Sequence, residues 1–216
     1  DDGDIRTRAA ELLSESVPKW HFLIVRDKLR NEAYDRALQR AITPGCKVLE
    51  IGTGSGLLAM MAARHGANVV TCEANPAIAA AARDVIAANG LSDRVRVIAK
   101  HSSEVTLSDM GGLADILVSE IVSNDLLSEG ALPAHSDAMK RLLKPGAAVI
   151  PARGQIRVAL AHDAEWPRHY AGEVSGFDLS AFNRLARPNW EIPVQNDRLS
   201  LRSEAANLFD FDFGAH

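Results

Sequence analysis

Nine residues, Val48-Leu49-Glu50-Ile51-Gly52-Thr53-Gly54-Ser55-Gly56, decide the fold of this chain. A short apolar run leads into three glycines at alternate positions, and a helical pattern begins directly after them at Leu57. Glycines allow tight turns, and they let a ligand approach the backbone N–H groups at the start of a helix. The stretch therefore predicts a strand, a ligand-binding loop and a helix, in that order.

Two acids accompany the loop: Glu50 at the end of the first predicted strand and Glu73 at the end of the second. A dinucleotide site is disfavoured, because Leu57 occupies the third glycine position of that motif and Glu50 would repel a pyrophosphate. Glu50 instead suits the methionine ammonium of S-adenosylmethionine, and Glu73 suits hydrogen bonds from both ribose hydroxyls. The alternative is that the glycines only form a tight turn and that both acids are solvated.

Strand and helix patterns alternate from Lys47 to Pro151. The predicted strands are Lys47–Ile51, Asn68–Cys72, Val95–Ala99, Ala114–Val118 and Ala147–Ile150, and the predicted helices are Leu57–Arg64, Pro76–Asn89 and His135–Leu143. Connections of this length require parallel strands joined by right-handed crossovers. The sequence therefore predicts an α/β fold with a doubly wound, Rossmann-like parallel sheet.

Other segments flank this alternation. Ile5–Leu13 and Val25–Ala41 have the pattern of amphipathic helices, and Gln155–Ala161 that of one more strand. Phe209, Phe211 and Phe213 follow at strand spacing. We therefore expect an N-terminal helical segment that covers the ligand site (1–45), a ligand-binding domain (46–152) and a C-terminal segment of different composition (153–216).

Composition restricts the class of protein. The 216 residues are 47% hydrophobic and 24% charged, with a net charge of −4, which is typical of soluble globular proteins. No Lys/Arg stripe predicts a nucleic-acid partner, and no apolar run is long enough to span a membrane. Cys46 and Cys72 lie in no metal-ligand spacing, so we expect neither a disulfide framework nor a metal site. We also expect a cytoplasmic location.

Several motifs resemble those of protein arginine methyltransferases, in the branch with a Trp-His-Phe element before the catalytic domain. They are Val17-Pro18-Lys19-Trp20-His21-Phe22, the stretch from Arg26 to Tyr34, the glycine loop, Ala87-Ala88-Asn89-Gly90, Ser119-Glu120 through Glu129-Gly130, and Leu142 to Ala152. The acid pair Glu120 and Glu129 is the most specific of these. The resemblance implies a class I methyltransferase that transfers a methyl group from S-adenosylmethionine to an arginine guanidinium of a protein or peptide, leaving S-adenosylhomocysteine.

The resemblance also implies roles for individual residues. Those implied around the cofactor are Arg30 and His21 at its carboxylate, Glu50, Gly52, Gly54 and Gly56 at its methionine end, Glu73 at the ribose, and Ser102 and Ser103 at the adenine. Glu120 and Glu129 are implied as the catalytic pair that holds the substrate guanidinium.

The chemistry of arginine supports that role for the acid pair. The side chain is a planar cation that keeps its proton, so its approach to a sulfonium is repulsive unless anions compensate. Two carboxylates can hold the guanidinium bidentately and direct one nitrogen at the methyl carbon. The alternatives are that Glu120 only ends a strand and that Glu129 lies on a solvated loop. Likewise, Arg30 could be a surface ion-pair partner and His21 a packed side chain.

The C-terminal segment resembles the start of the family's β-barrel, although the Thr-His-Trp of that barrel has no counterpart in the sequence. Gly176 to Arg184 resembles the protruding segment by which family members pair, which implies a homodimer through Phe177–Phe182. A loop that folds back on its own barrel is the alternative. Two further functions stay open: methylation of a small molecule or another nucleophile, and an inactive cofactor-binding interaction module.

Overall fold

The computed structural model describes residues 20–123, 126, 130–163, 170–187 and 199–214, with a few separate positions before residue 20. The chain divides into two compact units, one made of Asp1–Gly154 with Phe211–His216 and the other of Gln155–Asp210. Most of the predicted helix Ile5–Leu13 lies outside the described residues.

A sheet of parallel strands forms the centre of the first unit. Its strands are β1 (Lys47–Ile51), β2 (Asn68–Cys72), β3 (Val95–Ile98), β4 (Ala114–Ser119) and β5 (Leu143–Ile150), in the order β3-β2-β1-β4-β5. The chain moves outward from β1 to β3 and then returns to the other side of β1, so a crevice opens beyond the carboxyl ends of β1 and β4. The predicted doubly wound, Rossmann-like sheet is confirmed.

The helices of this unit are α1 (Trp20–Ile24), α2 (Lys28–Ala41), α3 (Leu57–Arg64), α4 (Pro76–Ala88), α5 (Leu107–Met110) and α6 (Ala131–Arg141). The expected helix Val25–Ala41 is wrong at its start, because Asp27 has an extended conformation and begins a new helix. Its carboxylate accepts the backbone N–H of Arg30 at 3.0 Å, which satisfies one of the free donors of the first turn.

The connection between β4 and β5 also differs from the expectation. Helix α6 begins at Ala131, directly after Gly130 with its left-handed φ of 71°, rather than at His135. It ends at Arg141, and β5 begins at Leu143, so Lys144, Pro145 and Gly146 lie inside a strand instead of separating helix from strand. A proline is tolerated there because β5 is an edge strand, and its pairing with β4 is irregular between Ala114 and Ile116.

Buried side chains cover both faces of the sheet. One cluster contains Leu38 of α2 with alanines of α3 and α4, and these small residues let the helices pack closely on the strands. The other contains Leu117 of β4, Ala138 of α6 and Phe213, which is 1% exposed. The backbone N–H of Phe213 donates to the carbonyl of Ala152 at 2.9 Å. Phe213 therefore belongs to the core of the first unit, although it is far in sequence from the strands it covers.

Short strand pairs characterise the remaining segment, and two of them, β7 with β10 and β8 with β9, are antiparallel. Its strands are β6 (Arg153–Val158), β7 (Ala161–Asp163), β8 (Glu173–Val174), β9 (Phe177–Asp178), β10 (Leu199–Leu201) and β11 (Ala206–Asp212). They pair as β6 with β11, β7 with β10 and β8 with β9, and a 3-10 helix spans Ser180–Leu185. The barrel stays a prediction, since residues 164–169 and 188–198 lie outside the described ranges. In the part of the chain that the structure describes, no helix is long and apolar enough to span a membrane.

Candidate active site

A cavity of about 630 Å³ opens at the carboxyl ends of the strands in the first unit. The predicted site residues that line it are His21, Arg30, Glu50, Gly52, Gly54, Glu73, Ser102, Ser103 and Glu120. Gly56 instead precedes α3 as its N-cap residue, and Glu129 lies outside the described residues. The structure thus gathers residues that are up to 99 positions apart in the sequence around one space.

The glycine loop connects β1 to α3 along the cavity. Gly52, Gly54 and Gly56 all have positive φ, at 86°, 51° and 80°, which side-chain-bearing residues rarely adopt. A Cβ on Gly52 would lie 2.6 Å from the Ile121 side chain, whereas a Cβ on Gly54 would meet nothing within 4 Å. Gly52 is therefore required by packing, and Gly54 leaves its backbone open to the cavity.

Glu73 follows β2 and fixes the shape of this loop. Its Oε2 accepts the backbone N–H of Gly54 at 3.1 Å, and its Oε1 accepts that of Asn75 at 2.9 Å. Each carboxylate oxygen can accept a second hydrogen bond, so both remain able to bind hydroxyl groups. The carboxylate is thus held in place at the cavity wall.

Glu50 is the most buried acid of the site, with 2% exposure. Burial raises the pKa of Glu50 to about 8, while a hydrogen bond from Thr71 opposes the shift. Among the described residues, no group donates to its Oε2. A buried carboxylate oxygen in this situation is costly, and a cationic group in the cavity would satisfy it. The Oε2 of Glu50 is therefore a suitable acceptor for an ammonium ligand.

Arg30 and Glu120 both line the cavity and form an ion pair. Nη2 of Arg30 lies 2.9 Å from Oε2 of Glu120, and both side chains are 17% exposed. Nη1 donates to Asn31, the guanidinium carbon lies 5.3 Å from the centre of the Tyr34 ring, and Nε is buried without a partner in the described part of the chain. The sequence assigned these two residues to different ligands; the structure places them in one ion pair.

The far end of the cavity lies beyond β3. Ser102 is 8% exposed and begins a short 3-10 helix, Ser102–Glu104, whose N-cap is His101. The backbone carbonyls of Ser102 and Ser103 both accept from Arg141 of α6 at 3.4 Å. Lys100, His101 and Asp137 also line this end, and sequence reasoning gave them no role. For Lys100 and His101, the position in the loop after β3 was the available signal, whereas Asp137 lies in α6.

His21 lies at the N-terminal edge of the cavity, in α1. Its Nδ1 is 3.0 Å from the carbonyl of Pro18, which orients the ring. Binding of a carboxylate by His21 stays a prediction. Within the described ranges, no group of three His, Cys, Asp or Glu side chains could hold a metal ion.

Comparison with known proteins identifies the family. The family model described as ribosomal protein L11 methyltransferase (PrmA) matches residues 35–152. An arginine N(omega)-methyltransferase of Streptomyces achromogenes subsp. streptozoticus is 43% identical over 208 residues, which cover 94% of this chain and 57% of that protein. The protein arginine N-methyltransferase 7 of Oryza sativa subsp. indica is 34% identical over 214 residues, covering 88% of this chain and 30% of that protein. The chain belongs to the methyltransferase family that this model describes, and it is similar to arginine methyltransferases.

Solved structures of arginine methyltransferases agree with this placement. The Trypanosoma brucei PRMT1 enzyme-prozyme heterotetrameric complex with AdoHcy aligns with a TM-score of 0.82 and 26% identity, over 94% of this chain and 64% of that one. Arabidopsis thaliana protein arginine methyltransferase 10 aligns with a TM-score of 0.62 and 30% identity, over 67% and 41%. This chain spans 57% of the Streptomyces relative and 30% of the rice relative.

Three further residues of this methyltransferase domain, Tyr34, Ser119 and His135, were given no role by the sequence. The hydroxyl of Tyr34 donates to the carbonyl of Ser119 at 2.9 Å, and the Oγ of Ser119 lies 2.5 Å from Nε2 of His135. Burial and the charge of Glu120 hold the pKa of Tyr34 above its usual range, so the hydroxyl keeps its proton at neutral pH. Tyr34 lies one helical turn after Arg30, which was a usable signal for a shared face.

Proposed function

We propose that this chain transfers a methyl group from S-adenosylmethionine to a guanidinium nitrogen of arginine in protein substrates. Glu120 carries the proposal: its carboxylate lines the cavity and contacts a guanidinium, that of Arg30, at 2.9 Å. The names of the Streptomyces and rice relatives support arginine as the methyl acceptor. The bound AdoHcy of the trypanosomal structure supports the cofactor.

The residues around the cavity fit S-adenosylmethionine. Glu50 would receive the ammonium, Arg30 and His21 the carboxylate, Glu73 the ribose hydroxyls, and Ser102 and Ser103 the adenine. A cavity of about 630 Å³ is within the range of small-molecule sites. When bound, S-adenosylmethionine supplies an electrophilic methyl group on a sulfonium.

Glu120 would act on the substrate through charge and position. Its carboxylate compensates the repulsion between the arginine and the sulfonium, and charge-assisted hydrogen bonds hold the guanidinium plane. Glu129 is proposed as the second carboxylate of the pair. Methyl transfer is an in-line displacement that depends on positioning and electrostatics, so no strong base has to remove the guanidinium proton beforehand.

Arginine itself is a second candidate substrate. The Streptomyces relative, which matches 94% of this chain, is named an arginine methyltransferase, whereas the rice relative is named a protein arginine methyltransferase. Both substrates present the same guanidinium to Glu120. They differ in the groups around the α-carbon, so relative turnover on free and peptide-bound arginine distinguishes them.

Assembly and location complete the proposal. We infer a homodimer through the segment Phe177–Phe182, whose two phenylalanine rings are 70% and 68% exposed. The trypanosomal relative is itself a complex of several chains.

A cytoplasmic location is supported by the free thiols of Cys46 and Cys72. With a net charge of −4, we propose neither a nucleic acid nor a membrane as a partner.

A substitution of Glu120 tests the function directly. In the intact natural protein, Glu120→Gln keeps the side-chain shape but removes the negative charge opposite the substrate. We expect turnover on arginine peptides to fall by ~100-fold or more, while affinity for S-adenosylmethionine stays almost unchanged. Lysine peptides should be poor substrates, because an ammonium cannot use a bidentate carboxylate as a guanidinium does.

The matched control is Glu32→Gln, which removes a half-exposed carboxylate of α2 that forms ion pairs with Lys28 and Arg36. It should leave both turnover and cofactor affinity unchanged. Glu129→Gln should behave like Glu120→Gln, and the double variant should lose less than the sum, because the acids act together. Near-normal arginine methylation by Glu120→Gln would refute the proposed role.

A further inference from the structure

We propose that Ser119 and His135 are positioning residues, whose buried hydrogen bond holds Glu120 at the cavity. The bond joins the two ends of the segment that contains both acids of the pair. This inference rests on the proposed function, because it concerns how the acid of that function is placed.

The two residues flank the acid segment on different elements. Ser119 is the last residue of β4 and immediately precedes Glu120, and His135 lies in α6, six positions after Glu129. The Oγ of Ser119 and Nε2 of His135 are 2.5 Å apart, with 0% and 1% exposure of the two residues. The bond thus closes a 16-residue separation in a place that water does not reach.

His135 lies in the core of the first unit, so its contact with Ser119 is not a chance contact between exposed side chains. The buried residues of α6 are Ala131, His135 and Ala138, so the imidazole occupies the middle of the helix face that packs on the sheet. The ring of Phe213 meets it edge-on, with centroids 5.3 Å apart and planes at 85°. A polar group in such a position destabilises the fold unless it is paired, and a paired one fixes a single geometry.

Helix α2 also contacts Ser119 and Glu120. The Tyr34 hydroxyl of α2 donates to the Ser119 carbonyl at 2.9 Å, and Arg30, one turn earlier, contacts the carboxylate of Glu120. The backbone of Ser119 is therefore held from α2 and its side chain from α6. Because the Glu120 side chain begins one residue later, loss of the Ser119–His135 bond should displace the carboxylate. A misplacement of about 1 Å can reduce an enzyme's rate by ~100-fold.

Two variants test the proposal in the full chain: Ser119→Ala, and Ser119→Ala combined with His135→Leu, which removes both polar partners and keeps the core apolar. We expect amide hydrogen exchange in residues 120–130 to become about tenfold faster in both. On an arginine peptide, kcat should fall about tenfold, with Kd for S-adenosylmethionine within about twofold of wild type. The double variant should lose at least as much kcat as the single one, since it removes the same bond together with the imidazole.

Val95→Ala is the matched control, because Val95 is 5% exposed and lies on the opposite edge strand, β3. At an equal loss of Tm, it should leave exchange in 120–130 and kcat unchanged. An equal fall of kcat in Val95→Ala would overturn the positioning role, as would unchanged exchange in 120–130 in the Ser119 variants. If wild type methylates no form of arginine, the proposed function fails, and the exchange measurement alone decides on the hydrogen bond. If Ser119→Ala does not fold, the double variant decides.

Discussion

Binding of S-adenosylmethionine should release a proton at pH 7, because Glu50 must ionise to receive the ammonium. Burial raises the pKa of this carboxyl to about 8, so in the free protein it is mostly protonated at pH 7. In the complex, the carboxylate faces an ammonium, and the pair together holds one proton. The perturbation is therefore the addition of S-adenosylmethionine, and the measured quantity is the number of protons released for each molecule bound.

The size of the signal follows from two pKa values. An α-amino group has a pKa of about 7.8, so at pH 7 it carries about 0.9 proton, and Glu50 with a pKa of about 8 also carries about 0.9. Since the bound pair keeps about one, roughly 0.8 proton is released at pH 7. Near pH 8 the release should be close to zero, and above it the complex should take up protons. Affinity should therefore rise with pH up to about 8 and then fall.

Isothermal titration calorimetry in phosphate and in Tris at pH 7 measures this release, because the two buffers differ in ionisation enthalpy. Glu50→Gln has no carboxyl to ionise, so its signal should change sign to an uptake of about 0.1 proton by the amine. A wild-type release of less than about 0.3 proton, or an equal release in Glu50→Gln, would show that Glu50 does not receive the ammonium.

Three further outcomes test the site and the assembly. Gly54→Leu should abolish S-adenosylmethionine binding in calorimetry while the circular dichroism spectrum is retained, since a side chain there enters open space; unchanged affinity would contradict the assignment. Glu73→Ala should weaken cofactor binding by about 1–3 kcal/mol, whereas unchanged affinity would show that Glu73 only stabilises the loop. Replacement of Phe177 and Phe182 by serine should convert a dimer to a monomer in light scattering. A parent chain that is already monomeric at high micromolar concentration would refute the dimer.

The sequence predicted the elements around the glycine loop because their signals are local. The bounds of β1, α3 and β2 are as predicted, since apolar runs and helix-stopping glycines lie within or beside each element. The start of α6 and the long β5 were not predicted. Edge position makes a proline acceptable in β5, and edge position is a property of the assembled sheet rather than of the residues nearby.

The contacts within the site were beyond local reasoning for the same reason. The sequence predicted Arg30 and Glu120 as site residues, but their ion pair joins positions 90 apart and depends on how α2 crosses the end of β4. Tyr34 and Ser119 are 85 apart. His135 gave only a faint signal, a histidine at helical spacing between two alanines, and its partner became visible only in three dimensions. The role of Glu129 remains a prediction.

The burial of Phe213 has a consequence for how the protein is synthesised. This ring fills the core beside His135, yet the ribosome adds it 59 residues after Gly154, the last residue of the preceding segment of the same unit. The nascent unit therefore lacks one of its largest core side chains until Phe213 itself has left the exit tunnel, and its final closure depends on a long-range contact. Cutting the gene after Gly154 to isolate the cofactor-binding part would leave a hole in the core.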